Sequence, residues 1–95
     1  MNIDQAIEKF DKGHSRKFSA SDVKQIKAAA VKLGLTNFDV KFRSSGRLYI
    51  HDVSDIVHFH GTMIVSQRPI AGSIDRGDDP YPKWPHFVAL DRWRG

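Results

Sequence analysis

The 95-residue chain has no cysteine, which excludes disulfides, thiolate nucleophiles and Cys-ligated zinc. It has no apolar run near the ~20 residues a membrane-spanning helix needs, and no apolar stretch of leader type at its start. No HExxH, no zinc-finger spacing, no Gly-rich phosphate loop, no Gly-x-Ser-x-Gly elbow and no aromatic RNP pattern occurs. Internal repeats and low-complexity tracts are also missing. What is present is a composition of 40% hydrophobic and 27% charged residues with net charge +4, ordinary for a small globular domain and too apolar for a disordered chain. One domain spanning 1–95 is expected. The lack of cysteine fits a cytoplasmic location, and no membrane partner is expected.

Two stretches carry helical periodicity. Ile3, Ala6, Ile7 and Phe10 fall at i, i+3, i+4 and i+7. Asn2 and Gln5 fit a capping box, and Gly13 is read as a left-handed stop. Ser19 is a second N-cap, and Val23, Ile26, Ala30 and Leu33 line one side of a helix of about fourteen residues that Gly34 ends.

Beyond Gly34 the period becomes two. Phe38, Val40 and Phe42 alternate with polar residues, Ser44-Ser45-Gly46 makes a turn, and Leu48 and Ile50 resume the alternation. Residues 56–60 and 62–66 form a second pair of strands around Gly61, where a type II′ turn with glycine leading fits. Residues 67–86 hold all four prolines and are expected to lack regular structure. Residues 87–93 read as a closing edge strand, or else a helical turn.

The expected architecture is α+β: two N-terminal helices (1–35) on one face of a four- to five-stranded antiparallel meander, a two-layer sandwich. The hairpins span 36–66, the proline-rich loop 67–86, and the closing strand and tail 87–95. The expected core is Ile7, Phe10, Val23, Ile26, Ala30, Leu33, Phe38, Val40, Phe42, Leu48, Ile50, Val57, Phe59, Met63 and Val65.

Charge is uneven. Residues 1–47 carry ten basic and five acidic side chains, net +5; residues 48–95 carry five and six, net −1. If the second helix buries its apolar stripe, Lys24, Lys27 and Lys32 point outward beside Arg16 and Lys17. Such a stripe attracts phosphate or an acidic protein face, and equally serves as a solvated helix face. In residues 78–86, prolines alternate with Tyr81 and Trp84, which suits an extended arm presenting two aromatics to a partner, or one folded back over a sheet edge.

The functional reading is a small non-enzymatic binding protein. It docks through Arg16, Lys17, Lys24, Lys27, Lys32, Tyr81 and Trp84 onto a nucleic acid or a larger nucleoprotein or nuclease. An inhibitor of phage or plasmid type, acting on a host enzyme, fits that description.

The alternative starts from His58-Phe59-His60, whose imidazoles share one strand face. Two helices followed by an antiparallel sheet resembles the order of elements in the barnase- and colicin-like toxin ribonucleases, which need no metal. That resemblance implies acid–base chemistry on the sheet's open face, with His58, His60, Lys41 and Arg43, and with His51 and Ser66, as candidates. The same His pair fits a metal only with a third ligand from His51, Asp52, Asp55 or His86. No cofactor and no metal is assigned on this reading.

Overall fold

Residues 1–14, 17–43, 46–67, 69–70, 72–75 and 86–93 are described by the computed structural model. The first helix, α1 (Ile3–Gly13), begins in the anticipated capping box. The Gln5 N–H donates to Asn2 Oδ1 at 2.9 Å, and the Asn2 N–H donates to Gln5 Oε1 at 3.0 Å. Gly13 does not stop it in the left-handed region. It lies inside the helix, and His14 follows as an extended C-cap. The helix packs closely on β2 at this point: a Cβ on residue 13 would lie 2.7 Å from Leu48 Cδ1 and would make that side chain shift.

The second helix, α2 (Ala20–Lys32), is capped by the Ser19 hydroxyl, which accepts from the Asp22 N–H at 3.1 Å. Its end is a Schellman motif: Gly34 takes φ +70, the Leu35 N–H reaches Ala30 O at 2.9 Å, and the Gly34 N–H reaches Val31 O at 3.1 Å.

The strands are β1 (Phe38–Phe42), β2 (Leu48–Asp52), β3 (Val57–His60), β4 (Met63–Ser66), β5 (Ile74–Asp75) and β6 (His86–Ala89), followed by a 3-10 turn (Leu90–Arg92). All pairings are antiparallel, in the order β1-β2-β3-β4-β6-β5. The α+β architecture with two N-terminal helices on a meander sheet is therefore borne out. It gains a two-residue strand, Ile74–Asp75, inside the stretch expected to be irregular. That strand makes the edge and leaves β6 internal. Both readings of residues 87–93 contribute, the strand first and the helical turn after it.

One face of the sheet carries Phe38, Val40, Ile50, Val57, Phe59, Ile64 and Val88, and it packs against Ala6, Ile7 and Phe10 of α1. Ile26, Ala29 and Ala30 of α2 join the same cluster, with Leu90 and Trp93. Three expected core residues depart from this. Phe42 is 71% exposed at the hairpin end of β1. Met63 and Val65 face away from the helices, because the β3–β4 register sets them opposite His60 and His58. The cause is the turn itself: Gly61 takes φ +58 as a II′ turn requires, so His60 pairs directly with Met63 and the two share a face. Val23 and Leu33 are partly buried against the cluster.

Candidate functional site

Alternation places Asp39 and Lys41 of β1, Tyr49 and His51 of β2, His58 and His60 of β3, and Met63 and Val65 of β4 on the face opposite the helices. The register sets Asp39 beside His51, and His51 beside His58. Three imidazoles and a phenol thus form a row across two strands. Tyr49 stacks on His60 with centroids 5.0 Å apart and 21° between planes, and lies 4.9 Å from the His58 ring.

A carboxylate closes the row. Asp55 stands in the β2–β3 turn at φ +60, a left-handed conformation that aspartate and asparagine enter more readily than other non-glycine residues. Its Oδ1 lies 2.6 Å from His51 Nδ1 and 3.6 Å from His58 Nε2. His58 Nδ1 meets His60 Nε2 at 3.3 Å. His51 is 3% exposed, and among the described residues its Nε2 has no hydrogen-bond partner; Asp39 Oδ2 lies 4.0 Å away. The turn is built by a different acid, Asp52, whose carboxylate accepts from the Ser54 N–H, the Ser54 hydroxyl and the Val57 N–H.

The electrostatics follow from this packing. The His51 hydrogen bond holds the Asp55 carboxyl below the usual carboxylate range, against a smaller opposing effect of burial. Burial pushes His58 down to about 4, helped by the neighbouring His51 and opposed by Asp55. Burial also pushes His60 down to about 4, with the Arg43 guanidinium and His58 adding to it. Both rings are therefore neutral at pH 7, with a lone pair on one nitrogen.

For the ribonuclease alternative, His58 and His60 do share a face, but they are bonded to each other. His58 Nε2 lies beneath the surface. Ser66 does not join them; it is fully buried on the helix side of β4, in register with Val57. Lys41 is exposed on the imidazole face, and Arg43 is exposed just past the end of β1. Of the suggested third ligands, His51 and Asp55 lie beside His58, whereas Asp52 is committed to the turn and His86 is on β6 opposite Ser66.

The basic residues divide into two groups. On α2, Lys27 pairs with Asp4 at 2.6 Å and Lys32 lies 5.9 Å from the centre of the Trp93 ring, while Lys24 is exposed. Lys9 and Lys12 face Asp39 and Glu8. Lys17, Arg43 and Arg47 are different: they border one cleft of about 960 Å³, together with His14, Ser19 and His60. Among the described residues none of these three cations has an ion pair. Phe18, just before α2, is pinned beside the cleft by its N–H donating to Asp11 Oδ1 at 3.1 Å and by its ring stacking on Phe10 at 4.3 Å. Asp22 is the acid in the lining.

Sequence reasoning missed Arg47, which lies across the β1–β2 turn from Arg43 and lines the same cleft. The strand register was the signal that would have found it. Arg16, Tyr81 and Trp84 lie outside the described residues. Among the described residues no helix is long and apolar enough to cross a membrane. No protein-family model, no curated protein and no solved structure matches this chain.

Proposed function

We propose that this protein is a small non-enzymatic nucleic-acid-binding module that seats a phosphate-bearing strand in the cleft between the α1–α2 connection and the β1–β2 hairpin. The observation that carries the reading is the convergence of Lys17, Arg43 and Arg47, from two separate segments, on one cleft of about 960 Å³ where Asp22 is the one acid among the described lining residues and ion-pairs with none of the three. Guanidinium groups match phosphate bidentately, and a helix amino end at Ser19 adds N–H dipoles of the same sign. His14, stacked on Phe10, and His60, stacked on Tyr49, add aromatic groups to the lining. This shifts the expected contact from the α2 lysines, two of which are engaged within the chain, to the hairpin arginines.

The test is fluorescence anisotropy with labelled single-stranded RNA and DNA across a salt series. Each phosphate contact contributes a slope of about −0.7 on single strands, so Arg43→Glu with Arg47→Glu should flatten the log–log slope by about 1.4. The same pair should weaken binding at least about tenfold at low salt, whereas Lys24→Glu with Lys32→Glu should do less. Binding that ignores salt overturns the proposal. Equal binding to polyglutamate overturns it in favour of a general acidic partner.

A further inference from the structure

We infer that His51, Asp55 and His58 form a binding site for a divalent transition-metal ion, with zinc the best match to the donor set. One donor atom from each lies within 4.8 Å of the others. Zinc–ligand bonds of 2.0–2.1 Å in a tetrahedron require donors about 3.3 Å apart. The separations of Asp55 Oδ1 from His51 Nδ1 and His58 Nε2, 2.6 and 3.6 Å, bracket that value, while the two imidazole donors stand within 4.8 Å of each other and would draw together on a shared ion. Two imidazoles and one carboxylate suit zinc, cobalt or nickel rather than magnesium or calcium. Three protein donors leave one tetrahedral position for water or a ligand oxygen.

The surroundings carry the argument further than the three donors alone. Histidines on a metal characteristically hand their other ring N–H to a carboxylate or another acceptor. Behind His51 stands Asp39, its Oδ2 4.0 Å from Nε2; behind His58 stands His60, its Nε2 3.3 Å from Nδ1. Without a metal, a neutral His51 that donates Nδ1–H to Asp55 turns a bare Nε2 lone pair toward a second carboxylate. That nitrogen is buried and has no hydrogen-bond partner among the described residues, an arrangement that costs about 1–3 kcal/mol. A metal on Nδ1 moves the proton to Nε2 and aims it at Asp39. The rival arrangement is a protonated His51 bridging both carboxylates, which needs no metal.

Zinc competition against a chromophoric chelator, on the full chain at neutral pH, separates the two. One zinc per chain should be retained, and cobalt should give the intense visible bands of tetrahedral coordination. Asp55→Asn should weaken zinc binding by about 100-fold or more, and Asp39→Asn by about tenfold. Asp55 is exposed, and asparagine tolerates its left-handed backbone, so this variant reports on the site even where His51→Gln or His58→Gln fails to fold. Zinc lost wholly to the chelator, or zinc binding unchanged by Asp55→Asn, overturns the assignment.

Discussion

Phe59 and His60 are joined by one peptide bond and separated by the thickness of the sheet. On the helix side, Phe59 is fully buried among Phe38, Ile50 and Ile64. On the far side, His60 stacks with Tyr49 and meets His58 nitrogen to nitrogen. One face is held by volume and apolar area, which is non-directional and tolerant of chemical detail. The other is held by directed contacts among ionisable groups, each contributing little net stability but fixing geometry. The same four strands therefore hold a fold on one side and chemistry on the other.

The sharpest way to break that division is to truncate one residue on each side. Phe59→Ala should destabilise by about 3–5 kcal/mol, because it opens a cavity in a core that cannot close over it. His60→Ala should cost about 0.5–1.5 kcal/mol, the net value of one hydrogen bond. Denaturant melts read both. Against a total stability of about 5–15 kcal/mol, the first change alone threatens folding. Comparable losses from the two variants would erase the distinction between the faces.

Mild acid, between pH 6.5 and 4, should act first on the imidazole face. His58 and His60 are held at about 4, below their ordinary 6.5, so between those values the unfolded chain binds protons that the folded chain refuses. Their contribution to stability is complete above pH 6.5 and is lost as pH falls toward 4. Asp55, lowered by His51, contributes above its ordinary 3.8 and loses that contribution below it, so the two effects run in sequence and in the same direction. In chelator, the melting temperature should hold steady from pH 7.5 to 6.5 and then decline to pH 4.5. His60→Ala should shallow the decline, and a conservative core change such as Ile64→Val should leave its shape alone. A flat profile would mean that both rings titrate as if exposed.

Most of the helix face was legible in the sequence, and so was the sharing of the open face by Lys41, His51, His58 and His60; the contacts made on that open face were not. Asn2, Ser19 and Gly34 announce helix ends through chemistry local to three or four residues, and the structure uses all three. Alternation from Phe38 to Ile50 identified Phe38, Val40, Leu48 and Ile50 as inward but overran at Phe42, which lies at the open end of the hairpin. The phase of β4 was misread although the information was present, since a two-residue turn at Gly61 commits Met63 to the side of His60. The short strand at Ile74 left no signal, because two residues carry no period. His51 and Asp55 were visible as residue types four apart. Their meeting with His58 depends on the β2–β3 register and on a left-handed aspartate, neither of which is a local property.

The smallest effect concerns the basic stripe of α2, where sequence periodicity and structure diverge on use rather than on position. Lys27 points outward as the helical wheel requires, yet it reaches Asp4 of α1 at 2.6 Å with both side chains about half exposed or more. A surface pair of that kind is worth about 0.2–1 kcal/mol. Lys27→Ala should therefore lower stability within that range, and the loss should shrink in high salt, where exposed charges are screened. Its effect on nucleic-acid affinity should fall well below that of Arg47→Ala, because a lysine already facing a carboxylate has less field to offer a phosphate. A binding loss from Lys27→Ala matching that from Arg47→Ala would move the contact surface from the hairpin cleft back to the helix. The ion pair with Asp4 would then be one that the partner's phosphate displaces on docking.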